Sequence, residues 1–202
     1  DFEAAIKREV LSEQELKTRL AHGKKILSAY YDHYRNEFSP SLFTEKNFGR
    51  STPVLFDDIP LSGKSDRIDL LDPKKKMVRF VDYKTGKPKT RGVLEKEADG
   101  SDGNYKRQLV FYQLLSQLDK TFGHKIGQTI LDFIEPEKDG SFRREKFIIT
   151  PDEVEKLKET IRAAAKSIRT LDFTRTKDVT ICARCDFRKH CWPSGQPPYS
   201  GV

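Results

Sequence analysis

The 202-residue sequence predicts an α/β fold, and three observations carry that expectation. Residues 62–86 (SGKSDRIDLLDPKKKMVRFVDYKTG) are two β-rich runs around the turn formers Asp72-Pro73 and three lysines, a hairpin pattern. Gly127 to Glu135 (GQTILDFIE) is a short apolar run, as in a strand buried within a sheet. Stretches with apolar residues three and four apart precede and follow these strands, as helices packed on a sheet do.

In chain order, residues 3–37 are helical in pattern. Ile26, Leu27, Tyr30, Tyr31, Tyr34 and Phe38 form an apolar stripe suited to packing on a sheet, and Pro40 ends the region. His22 and His33 read as surface or boundary histidines. Residues 45–48 and 54–56 read as the first strand or strands, with Asp57-Asp58 turning toward the hairpin. Residues 87–104 (KPKTRGVLEKEADGSDGN) are polar and without periodicity, which predicts a mobile loop. Tyr105 to Leu118 is a helix with Tyr105, Gln108 and Tyr112 on one face and Leu109, Leu114 and Leu115 available to the core. Residues 146–149 read as an edge strand. Thr150-Pro151-Asp152-Glu153 is a helix start with a capping box, and Val154, Leu157, Ile161, Ala165 and Ile168 run down one face beyond it. The last ten residues, rich in Pro and Gly, read as a disordered tail.

The hairpin carries the chemistry. Alternation puts Asp66 on one face with Ile68 and Leu70, and Asp82 and Lys84 on one face with Val78 and Phe80. A carboxylate among buried neighbours is costly unless a cation accompanies it. Antiparallel pairing without a bulge sets Asp66 opposite Asp82 or Lys84, with opposed Cβ atoms roughly 4.5–5.5 Å apart. Two carboxylates beside an ammonium form a hard-oxygen site of the kind that suits Mg²⁺ (or Mn²⁺). Asp69, three residues after Asp66, falls on the opposite face and reads with Arg67 as a structural ion pair.

A net charge of +7 and a pI near 9.2 suit a polyanionic partner, or simply a basic solvated surface. No apolar run approaches a membrane span, and no signal peptide is visible. Opening on Asp1 rather than Met, the chain reads as a piece of something longer. Cys182, Cys185 and Cys191, spaced C-x2-C-x5-C, are the three cysteines present. They suggest a metal and a reducing compartment, the cytoplasm, rather than a disulfide framework. Structural zinc and cubane iron–sulfur clusters want four ligands; His190 adjoins Cys191 and is poorly placed to be the fourth.

The string GKSDRID…VDYKTGK, followed by QLVFY, resembles the PD-(D/E)XK nuclease superfamily, and within it the RecB/AddB-like domains at the C-terminus of UvrD/Rep-type helicases. The resemblance covers about residues 42–193. It implies a restriction-endonuclease-like core: a mixed central sheet flanked by helices, with a C-terminal cysteine-containing loop. It implies domain boundaries at 1–40 for an N-terminal helical segment, 41–175 for the nuclease core, 176–193 for a cysteine staple and 194–202 for the tail. It also implies catalytic roles for Asp66, Asp82, Lys84, Gln108 and Tyr112, with metal held by Asp66, Asp82 and the carbonyl of Tyr83. Gln108 and Tyr112 would orient the lysine or the DNA. AddB-like nucleases hold a [4Fe–4S] cluster with this cysteine triplet plus one upstream cysteine, absent here, so the parent protein is expected to hold a cluster that this piece holds poorly or not at all. Zinc and a vestigial triplet are the other readings.

Two departures matter. The motif's leading Pro-Asp is Ser65-Asp66, and His22 does not match the surroundings of the further histidine ligand that related nucleases bring from an earlier helix. Glu45 falls where relatives often carry Val-Glu-X-X-Phe, as a metal ligand or as a structural ion pair. Lys87, Lys89 and Arg91 either contact DNA phosphates or are solvated. The expected function is a metal-dependent DNA exonuclease linked to a helicase in DNA repair. The alternatives are a nuclease-fold module that binds DNA without cutting it, and a zinc-stapled interaction domain.

Overall fold

The computed structural model describes residues 2–38, 40–95, 103–176 and 179–193. It divides into two compact units, Asp1–Lys158 and Glu159–Val202. In chain order the elements are α1 (Phe2–Ile6), α2 (Glu13–Tyr34), β1 (Ser41–Phe48), β2 (Val54–Phe56), β3 (Ile59–Leu61), β4 (Gly63–Asp72), β5 (Met77–Lys84), α3 (Arg91–Leu94) and α4 (Asn104–Leu118). They continue with β6 (Lys125–Phe133), β7 (Arg144–Phe147), α5 (Pro151–Arg169), α6 (Val179–Ala183) and α7 (Arg188–Cys191).

The first unit is built on a mixed five-stranded sheet, β1-β4-β5-β6-β7, with β2-β3 as a separate small hairpin. Among the described residues only the β5–β6 pair is parallel, and α3 and α4 lie in the connection between them. This mixed α/β architecture is consistent with a restriction-endonuclease-like fold. Phe80, Val78, Ile68 and Leu131 from the sheet pack with Leu109, Tyr112 and Leu115 of α4 to form the core. The turn after β1 depends on Gly49, whose φ is +76° and whose added Cβ would lie 2.1 Å from the Leu61 carbonyl oxygen.

The helical stretch expected over 3–37 is two helices. Ser12 Oγ accepts the Glu15 N–H while the Glu15 carboxylate accepts the Ser12 N–H, a capping box that starts a new helix. Tyr30 and Tyr34 are buried on α2, whereas Tyr31 is 59% exposed. The polar stretch expected as a loop contains α3, and its Leu94 is fully buried in the core. Arg91, expected as a solvated or DNA-contacting side chain, is bound to Glu95 and Glu145, donates to the Lys146 carbonyl and lies over the Phe147 ring. The part of that loop at 96–102 and the tail at 194–202 lie outside the described residues. The capping box of α5 forms as expected: Glu153 accepts the Thr150 N–H at 2.9 Å and donates its own N–H to Thr150 Oγ1. Its apolar face is buried at Val154 and Leu157 but exposed at Ile168. In the second unit the expected cysteine loop carries two short helices: Cys182 lies on α6, Cys191 ends α7, and Cys185 lies between them.

Candidate active site

β5 is paired on both sides, antiparallel to β4 and parallel to β6, so it lies inside the sheet and its side chains alternate between the sheet's two faces. Val78 and Phe80 pack under α4, and the same face continues to Asp82 and Lys84. Pairs Ile68↔Phe80 and Arg67↔Val81 extrapolate by one step to Asp66 opposite Asp82. The paired register runs to Arg67↔Val81, and beyond it Asp66 Oδ2 accepts the Tyr83 N–H at 2.8 Å.

Asp82, only 2% exposed, is the hub. Its Oδ1 accepts the Tyr112 hydroxyl and Gln108 Nε2, each at 2.8 Å. Gln108 Nε2 also donates to the Tyr112 oxygen at 2.8 Å. Lys84 Nζ lies 2.6 Å from Asp82 Oδ2, donates to Gln108 Oε1 at 2.7 Å and sits 5.4 Å from the centre of the Tyr105 ring. Tyr105, Gln108 and Tyr112 follow one another at spacings of three and four on α4, so one helix stripe supplies the side chains that meet Asp82 and Lys84 from outside the sheet.

Burial raises the Asp82 carboxyl above the ordinary aspartate range; Lys84 and the Tyr112 hydroxyl pull it back, and Asp66 adds to the push upward. Burial and the Asp82 charge also push the Tyr112 phenol upward, which keeps it a protonated donor.

The donor set fits a hard divalent cation. Asp82 Oδ2 is shielded from solvent and, although the Lys84 ammonium is close, has no hydrogen bond of good geometry. That oxygen and the Asp66 carboxylate would offer two anionic ligands, the number that Mg²⁺ takes when it keeps several waters. Among the described residues no group of three or more His, Cys, Asp or Glu side chains is arranged to hold a metal ion. Cys182 is buried, Cys185 exposed and Cys191 half-buried, all as free thiols. They do not fit a [4Fe–4S] cluster or structural zinc by themselves.

Glu45 has a left-handed backbone (φ 56°) and pairs with Lys64. Asp69 lies on the other face of the sheet, bound to Arg67 at 2.6 Å and to Arg79 at 2.8 Å. His22 is exposed, 3.7 Å from Glu135, and the His33 ring packs edge-on against Tyr34. On the Asp69 face the sequence reading missed a network behind Tyr83. Asp132 accepts the Tyr30 hydroxyl at 2.6 Å and Arg144 Nε at 2.7 Å, and Arg144 also reaches Glu37 and lies over the Tyr34 ring. The signal was present: an aspartate inside the apolar run TILDFIE must find a partner.

The family model of the PD-(D/E)XK nuclease superfamily matches residues 2–192, and the chain belongs to that superfamily. Members of this superfamily generally hydrolyse phosphodiester bonds in DNA. No curated protein matches the sequence. Among solved structures, the crystal structure of SSO0001 is similar at 16% identity, over 92% of this chain and 73% of that chain, with a TM-score of 0.42. Among the described residues no helix is long and apolar enough to cross a membrane.

Proposed function

We propose that the chain is a metal-dependent deoxyribonuclease domain whose reaction centre is Asp66, Asp82 and Lys84. The observation that carries this reading is a buried carboxylate on β5 with an ammonium 2.6 Å from its oxygen, at the position that the β4–β5 register sets opposite a second carboxylate, Asp66 on β4. A binding surface alone has no use for buried carboxylates facing a polyanion.

Asp66, Asp82 and the Tyr83 carbonyl would hold Mg²⁺ or Mn²⁺. Once bound, the ion acidifies a water and neutralises charge on the phosphate. The residues of the chain do the positioning. Gln108 Oε1 fixes the Lys84 ammonium so that it meets the charge that develops on the phosphate oxygens. Gln108 Nε2 and the Tyr112 hydroxyl hold Asp82 Oδ1, which leaves Oδ2 directed at the reaction centre. The Tyr105 ring closes one side of the ammonium.

The finer reading is an exonuclease domain working with a UvrD-type helicase in DNA end processing. It is supported by the strings GKSDRID, VDYKTGK and QLVFY, which resemble the RecB-like branch. A cluster on Cys182, Cys185 and Cys191 needs a ligand from elsewhere and contributes no step to this reading.

The test is cleavage of single-stranded DNA with Mg²⁺ or Mn²⁺. Asp82→Ala and Lys84→Ala are each expected to lower kcat by about 10²–10³. Cleavage that survives both changes rejects the site.

A further inference from the structure

We infer that a lysine-walled cleft at the other end of β5 from Lys84 is a second contact for the phosphodiester backbone of the same nucleic acid, an inference that rests on the nuclease reading above. The cleft, of about 580 Å³, is lined by Lys75, Lys76, His124 and Lys125 and by Gln113 and Gln117 of α4. Its lysines are presented from a fixed backbone. Lys76 has a left-handed φ of 51°, its N–H donates to the Pro73 carbonyl, and its own carbonyl accepts the Lys125 N–H at 2.9 Å. The turn before β5 and the loop before β6 are thereby hydrogen-bonded together.

The local charge is unbalanced. Asp72 stands 4.0 Å from Lys75, which is 75% exposed, while Lys76 and Lys125 form no ion pair among the described residues. The C-terminus of α4 carries about half a negative charge, which one cation answers. Three lysines exceed that need. Glutamine amides beside ammonium groups are donors suited to phosphate and sugar oxygens.

The same helix joins the two regions: α4 gives Gln108 and Tyr112 to the reaction centre and Gln113 and Gln117 to the cleft. From Met77 to Lys84 is seven strand steps, about 23 Å at roughly 3.3 Å each. A stacked strand covers that in about seven nucleotides at roughly 3.4 Å each. Shorter substrates reach only one of the two.

The experiment is fluorescence anisotropy in EDTA, so that nothing is cut, with labelled oligodeoxythymidines of about five and about twenty nucleotides over a salt series. The variant Lys75→Gln/Lys76→Gln/Lys125→Gln is expected to weaken binding of the long oligonucleotide about tenfold or more. It should reduce the magnitude of the slope of log K against log salt by about 2, at about 0.7 per lost contact. Binding of the short oligonucleotide and the thermal melting profile stay as in the parent chain. An unchanged slope, equal losses on both lengths, or polyglutamate competing as well as DNA overturns the inference. The readout does not depend on cleavage. A chain that binds in this way but never cuts keeps the cleft and loses the nuclease reading; a chain that cuts without any lysine effect does the reverse.

Discussion

Tyr112→Phe removes one oxygen atom and tests how Asp82 is held. The hydroxyl is buried, donates to Asp82 Oδ1 at 2.8 Å and accepts from Gln108 Nε2 at the same distance. A hydrogen bond to a charged group contributes about 1.5–3 kcal/mol and a neutral one about 0.5–1.5 kcal/mol. The loss in the variant is therefore about 1.5–3 kcal/mol when Asp82 is ionised and about 1 kcal/mol when it is protonated. Gln108 remains as the second donor, so the fold survives. The sign follows from the titration. Burial already raises Asp82 from the ordinary value of 3.8, so in the folded state it costs stability as pH rises through that raised range. Deleting a donor that favours the ionised form raises it further. The variant's deficit is thus small near pH 4 and grows by about 1 kcal/mol as pH climbs toward 8. Urea unfolding in metal-free buffer at both pH values measures it. A deficit that is the same at both, or absent, refutes the claim that Tyr112 stabilises an ionised Asp82.

Other substitutions probe the frame around the site. Leu94→Ala should cost about 2–5 kcal/mol in urea unfolding, because Leu94 is fully buried; a solvated loop residue would cost under about 0.5 kcal/mol. Arg144→Ala strips Asp132 of its cation and should cost about 3–5 kcal/mol at neutral pH. That cost shrinks as pH falls and Asp132, already raised by burial, takes up a proton; a pH-independent cost contradicts the pairing. Tyr105→Phe should leave DNA cleavage near the parent rate, whereas Tyr105→Leu removes the ring face beside Lys84 and should slow kcat several-fold with little change in KM. Equal effects of the two changes assign Tyr105 a different role.

The centre of the fold was legible because its signals are local. The β4–β5 hairpin announces itself by period-two alternation around Asp72-Pro73, and alternation alone places Asp82 and Lys84 on one face. The Gln108–Tyr112 spacing needed only helix geometry. What escaped depends on contacts distant in sequence or on elements too short to show a period. α3 has four residues with a single fully buried side chain, Leu94, inside a polar stretch. The break before α2 was written in Ser12 and Glu15, but helical periodicity on both sides masked it. Tyr30, Asp132 and Arg144 meet across more than a hundred residues, so Tyr30 showed only as one member of an apolar stripe. The cysteine spacing suggested a gathered metal site, yet the described thiols differ in exposure and form no such group.

Soaking Mn²⁺ into crystals of the protein and locating it by anomalous scattering decides whether Asp66 and Asp82 share one ion. One strong peak is expected, bound by oxygens of both Asp66 and Asp82 at about 2.0–2.2 Å. A peak elsewhere, at the cysteines or on surface carboxylates, with none between β4 and β5, contradicts it.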